Sequence, residues 1–172
     1  NRQFFDDPAV TAALDWIARH CHEPIRVEDV AAGVGVPLWR LRVLMRSARR
    51  HTLAHAIARA RLRHAMSLLE STDLHIETVA GRAGYSSVHA LGAAFREHVH
   101  LHPTAWRRAA AEGTLPPSSP IEHAKQLLRE TAWSLERIAL ATGYVTTRRL
   151  MSAFRRHFDT TPGVWRSIHA VP

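Results

Sequence analysis

Apolar residues recur at three- and four-residue intervals along most of this chain, and no window alternates polar and apolar positions as a half-buried strand does. Over 38–48, Leu41, Leu44, Met45 and Ala48 fall on one helical face, and over 87–97 Leu91, Ala94 and Phe95 do the same. Asp7-Pro8, His102-Pro103, Ser119-Pro120 and Thr161-Pro162 place prolines where a first helical turn accepts them, because the N–H that proline lacks is unpaired there in any case. Asp7, Ser119 and Thr161 add capping side chains, and Ser119 with Glu122 has capping-box spacing. These signals predict an all-α fold with helices over 8–21, 27–33, 38–48, 53–70, 76–82, 87–97, 103–111, 120–130, 135–141, 146–156 and 162–168.

The pattern repeats without a gap at an offset of 59 residues. His64-Ala65, Leu68-Leu69, Glu77, Ala80, Gly84-Tyr85, Leu91, Ala94-Phe95-Arg96, Pro103 and Trp106-Arg107 recur as His123-Ala124, Leu127-Leu128, Glu136, Ala139, Gly143-Tyr144, Leu150, Ala153-Phe154-Arg155, Pro162 and Trp165-Arg166. Each copy is a short helix, a tight turn and a longer helix. Val79 and Ala80 supply a buried face with a small residue where helices cross, Gly84 a left-handed C-cap, and Tyr85 an anchor for the turn. That is the pattern of a helix-turn-helix. Val30-Ala31, Gly35-Val36 and Leu41 with Leu44-Met45 form a third, more diverged copy upstream, which fits when one residue is added before its second helix.

Charge narrows the reading. Lys plus Arg outnumber Asp plus Glu by 23 to 15, giving +8, and Lys125 is the single lysine. Such a surplus points to a polyanion, either nucleic acid or an anionic membrane surface, the bland alternative being a soluble domain from an Arg-rich proteome. Apolar stretches are interrupted well before the roughly 20 residues of a membrane span, and no signal peptide is visible. Cys21 is the one cysteine, so an internal disulfide and a Cys-based zinc site are excluded and a reducing cytoplasm fits. The chain does not begin with Met, which suits a trimmed or C-terminal part of something longer.

Val27-Glu28-Asp29-Val30-Ala31 with Gly35, Arg59-x-Arg61-Leu62 with Ala65 and Leu68-Leu69, Ile76 through Ala80, Gly84-Tyr85-Ser86-Ser87, Phe95-Arg96 and Pro103-x-x-Trp106-Arg107 together resemble the DNA-binding domain of the AraC/XylS family of bacterial transcription regulators. The resemblance covers about residues 8–110. It implies homeodomain-like helix-turn-helix units, two of them joined by a long linker helix, with each second helix entering a major groove of double-stranded DNA. A helix of about 18 residues spans about 27 Å, which with its flanking turns suits the ~34 Å pitch of the duplex. The resemblance also implies a transcriptional role, activation included, exerted by recruiting or blocking RNA polymerase. Family members usually carry a separate sensing or dimerising domain, and no small-molecule effector domain is visible here. The expected organisation is a double helix-turn-helix domain over 1–111, a linker over 112–118, and a third half-domain over 119–172. The last departs from the family pattern by repeating its second half.

Trp39, Arg42, Arg46 and Arg49 follow one another on the solvent side of the first unit's second helix, with Arg40 beside them. Arginine suits base reading because its planar fork donates two hydrogen bonds to guanine O6 and N7. Trp39 sits where the resembling family makes base or sugar contacts. The corresponding stripe of the second unit reads His89, Gly92 and Arg96, with Ala93 alongside, and is poor in donors. The third offers Arg148, Met151 and Arg155 with Thr146, Thr147, Arg149, Ser152 and Arg156 around them. Units one and three are therefore expected to read sequence while unit two clamps backbone, with helix N-termini near Ser87 and Thr146 meeting phosphates.

No catalytic motif occurs, so an enzyme is not expected, nor are a cofactor or a metal. His98, His100 and His102 alternate in what the resemblance makes a loop, and His51 with His55 is a lone i, i+4 pair. Cys21 reads as core filler, and Trp106 and Trp165 as anchors of the terminal helices. Two other readings stay open: a protein-interaction module built on degenerate repeats, and the DNA-targeting region of a larger repair protein.

Overall fold

Capping chemistry starts most of the helices where the side chains suggest. The computed structural model describes residues 7–49 (side chains to Ser47), 52–116, 119–144 and 146–169. Within them lie α1 (Pro8–His20), α2 (Val27–Gly33), α3 (Leu38–Arg49), α4 (Leu53–Ser71), α5 (Ile76–Arg82), α6 (Val88–His98), α7 (Pro103–Glu112), α8 (Pro120–Glu130), α9 (Leu135–Thr142), α10 (Thr147–Phe158) and α11 (Pro162–His169). Every helix expected from the pattern is present, with ends within two residues. The Asp7 carboxylate accepts from Ala9 N at 2.8 Å, and Thr52, Ser87 and Ser119 hydroxyls accept from the N–H three residues on at 3.1, 3.1 and 3.2 Å. Only half of the expected box at Ser119 forms, because the Glu122 carboxylate turns to Lys125 Nζ at 3.0 Å.

Three hydrophobic clusters follow the three units. The first gathers Ile17 and Cys21 of α1, Val30, Leu41, Met45 and the early α4 residues Leu53 and Ile57. The second uses later α4 residues, Ala65, Leu68 and Leu69, with Val79, Leu91, Phe95 and Trp106. The third holds Ile121, Leu128, Ile138, Tyr144, Leu150 and Phe154. Burying each large side chain contributes about 1.5–3 kcal/mol, so every unit has its own source of stability. Cys21 is 1% exposed, and burial pushes its thiol up to about 11, which suits packing rather than reactivity.

The third unit packs on the connecting helix: α8, α9 and α10 lie on α4, and α9 also meets α1. Every residue from His64 to Glu70 is consequently buried, although a helix covered on one side would expose part of that run. His64, Ser67 and Glu70 form the polar stripe facing unit three. The Ser67 hydroxyl donates to Gly143 O at 2.8 Å, and His64 Nδ1 is 3.2 Å from the same oxygen. Glu70 spans two units, accepting from Trp106 Nε1 at 3.2 Å and from the Tyr144 hydroxyl at 2.5 Å.

The repeat extends to backbone conformation. Gly84 and Gly143 take φ of +80° and +88°, and His100 and Asp159, also one repeat apart, both have positive φ. At Gly143 a β-carbon would lie 2.7 Å from the carbonyl carbon of Arg63 in α4, so the close approach of unit three requires glycine there. Gly143→Ala is expected to cost about 2 kcal/mol or more in urea-melt stability, from left-handed strain plus the clash. Gly163→Ala, in open space on α11, is expected to stay within about 1 kcal/mol of the parent. Equal melts for the two variants would contradict this packing.

Trp106 is fully buried, as expected of an anchor. Trp165 is only half-buried, and its Nε1 has no hydrogen-bond partner. One repeat after Glu70 stands Arg129, which offers no acceptor, so the C-terminal copy has the indole without the carboxylate.

Candidate nucleic-acid interface

On α3 the buried residues Leu41 and Met45 turn the opposite face to solvent. Trp39 is 70% exposed, and Arg40, Arg42 and Arg46 are exposed as well. The side chain of Arg49 lies outside the described residues, as do His51 and the linker residues Pro117 and Ser118. Arg42 Nη2 is 3.9 Å from Glu28 Oε1 of α2, with both side chains more than half exposed. Such a surface pair is worth at most about 1 kcal/mol and is readily exchanged for a base or phosphate. Val43 is a further candidate that the apolar pattern did not single out. It is 57% exposed, one turn after Trp39, and the two give the face an apolar strip between arginines. Its signal is a hydrophobe displaced from the stripe of Leu41 and Met45.

The exposed line of α6 differs from the expected one. Gly92 is buried with Leu91 and Phe95, while His89, Ala93 and Arg96 face solvent. Phe95 and Leu91 fix the inward direction, and Gly92 falls just inside it, toward His102. The face still carries few donors, now because Ala93 occupies its centre. Ser87 caps α6 through an oxygen that accepts from Ala90 N at 3.1 Å, leaving its O–H able to donate.

On α10, Arg148, Ser152 and Arg155 are exposed in line. Thr146 caps the helix, accepting from Arg149 N at 3.4 Å. Arg149 is half-buried beside Arg82 of α5, and its guanidinium is held below its ordinary pKa by burial first and by Arg82 second. Arg156 pairs with Asp73 at 3.1 Å. These two arginines thus lie along the seam with unit two, and the open donor line is that of Arg148, Ser152 and Arg155. Among the described residues no three His, Cys, Asp or Glu side chains are grouped to hold a metal, and no helix is long and apolar enough to cross a membrane.

Comparison with known proteins places this arrangement in context. A model of a helix-turn-helix domain matches residues 30–109 and again residues 120–168. The xylose operon regulatory protein of Escherichia coli (strain K12) is 29% identical over 106 residues, 62% of this chain and 27% of that protein. The chain therefore spans well under two thirds of that relative's length. The regulatory protein SoxS of Salmonella typhimurium (strain LT2) is 28% identical over 98 residues, 57% of this chain and 92% of SoxS. Among solved structures, the DNA-binding domain of AdpA, a global transcriptional factor in complex with a target DNA, superposes with a TM-score of 0.56 at 30% identity, over 62% of this chain and 96% of that one.

Proposed function

The chain belongs to the AraC/XylS helix-turn-helix family, and from that premise we propose that it regulates transcription by reading double-stranded DNA with the outer faces of α3 and α10. The observation that carries the reading is the pair of exposed donor lines, Arg42 with Arg46 and Arg148 with Arg155, each on the second helix of a helix-turn-helix unit. Trp39 and Val43 supply apolar surface for thymine methyls or sugars, and Arg40 flanks them at the backbone. The second unit holds phosphate through Arg96, His89 and the Ser87 cap, and the third adds Thr146 and Ser152. Arg149 and Arg82 together present positive charge to a phosphate at the seam. In this reading the chain works in the bacterial cytoplasm, recruiting or blocking RNA polymerase.

Fluorescence anisotropy with duplex DNA tests this reading. Affinity is expected to fall at least about a hundredfold between 50 and 200 mM salt, because arginine contacts release counterions from the phosphates. A flat salt dependence would contradict arginine-mediated binding. Arg148→Ala and Arg155→Ala are each expected to weaken a selected duplex by about 5- to 100-fold, the range of one good base contact. His89→Ala is expected to weaken binding with little change in sequence preference. The division of labour between α6 and α10 fails if His89→Ala alters preference and the two arginine variants do not.

A further inference from the structure

Docking of the third unit creates a cleft of about 470 Å³ between α1 and α4 on one side and α8 and α9 on the other. Its charged lining is unbalanced. Arg59 and Arg63 of α4 and Arg137 of α9 face it with a single carboxylate, Asp15 of α1. None of the three guanidiniums lies within ion-pair distance of a carboxylate among the described residues. Arg63 is the most enclosed, and its Nε is buried with no hydrogen-bond partner. Burial and the neighbouring Arg59 both hold its pKa below the ordinary guanidinium value, the cost of a cation with no anion beside it. Buried donors of this kind are normally satisfied.

Thr11, His55 and His123 add polar edges, and the remaining walls are apolar. Leu14, Met45, Leu127 and Leu140 line it, and Trp133 forms a flat wall with the Arg137 guanidinium 4.0 Å from its ring centre. A volume of this size, with apolar walls and a few convergent polar groups, has the make-up of a small-molecule site. Inorganic phosphate would satisfy the cations and leave the apolar walls wet; a neutral apolar compound would do the reverse.

We propose that this cleft binds a small organic carboxylate, its anionic head between Arg59, Arg63 and Arg137 and its flat or branched apolar body against Trp133 and the leucines. Because the walls come from the first and third units, the bound acid ties them together. The site exists only in a chain that carries the extra repeat, and it is separate from the exposed faces of α3, α6 and α10.

Isothermal titration of the full chain with 2-naphthoate, hexanoate and inorganic phosphate tests the proposal without DNA. Saturable one-to-one binding of 2-naphthoate is expected, tighter than phosphate by at least about tenfold. Arg59→Ala and Arg137→Ala, both at exposed positions, are expected to weaken it about tenfold each, and Arg63→Met to abolish it while retaining an apolar stem that packs beside Gly143. Arg108→Ala, which removes a charge from α7, is expected to leave it unchanged. Absence of saturable binding, equal binding by phosphate, or an equal loss with Arg108→Ala would overturn the proposal. So would a result in which Arg59→Ala and Arg137→Ala spare 2-naphthoate and weaken duplex DNA instead, since the cleft would then belong to the DNA surface. Circular dichroism of each variant separates lost binding from lost folding, and the two exposed variants decide the matter if Arg63→Met unfolds. Failure here leaves the DNA-reading proposal intact, because that one is measured on duplex affinity.

Discussion

Glu70→Leu is expected to lower the unfolding free energy by about 3–5 kcal/mol, because it leaves two buried donors, the Trp106 indole N–H and the Tyr144 hydroxyl, without an acceptor. Glu70 is 1% exposed and sits where α4 meets both α7 and the turn before α10. Its loss therefore loosens two units at once. Tyr144→Phe removes one donor rather than the acceptor and is expected to cost less, about 1 kcal/mol, and Trp106→Phe somewhat more than that because it also leaves a cavity in a fully buried site. Chemical denaturation with tryptophan fluorescence reads the whole series, and a Glu70→Leu loss no greater than the single donor losses would contradict the bridging role.

The same carboxylate imposes a pH dependence. Burial raises Glu70 from 4.5 to about 8, so the folded state holds its proton where the unfolded chain releases it. The stability from the neutral carboxyl is complete below about pH 4.5 and is lost as pH rises to about 8. His64 works in the opposite sense. Burial lowers its pKa from 6.5 to about 4, so its contribution is present above pH 6.5 and is lost as pH falls toward 4. Glu70→Gln, which keeps an oxygen acceptor, is expected to gain stability relative to the parent as pH rises from 5 to 8, while both share the acid-side loss from His64. Parallel curves over that range would show that Glu70 is ionised in the folded protein.

Arg42→Ala with Arg46→Ala carries the second large effect. Two good bidentate contacts to guanine are worth about 1–3 kcal/mol each, so the double variant is expected to lose about 30-fold or more on a selected duplex and to approach the affinity for random sequence. Lysine at both positions separates the roles. It retains charge for phosphate and lacks the planar fork, so general affinity is expected to return while discrimination does not. Full recovery of discrimination with lysine would assign both arginines to the backbone.

Local features of this fold were legible in the sequence because they depend on residues near one another. Prolines, caps and apolar spacing set the helices, and Gly84 and Gly143 mark turns that only glycine forms without strain. The docking of the third unit was not legible. Glu70 is an ordinary surface residue by type, and only the approach of Tyr144 from 74 residues away makes it an acceptor for two units. His64 and Ser67 likewise read as one polar edge of a helix until Gly143 closes over them. At the candidate interface, Arg42, Arg46, Arg148 and Arg155 lie exposed where helical spacing put them. Gly92 and Arg149 do not, because the rotation of α6 and the presence of Arg82 are set by tertiary packing rather than by spacing. Val43 faces solvent although it is apolar, because Leu41 and Met45 set the inward direction of α3.

The most direct measurement is selection of bound sequences from a random duplex pool by the full chain, repeated with Arg42→Ala/Arg46→Ala, Arg148→Ala/Arg155→Ala and His89→Ala/Arg96→Ala. Reading by α3 and α10 predicts two specified blocks separated by an unspecified spacer, one lost with the α3 pair, the other with the α10 pair, and both retained with the α6 pair. A pool that shows no enriched sequence, or a block that disappears only with the α6 pair, would contradict it.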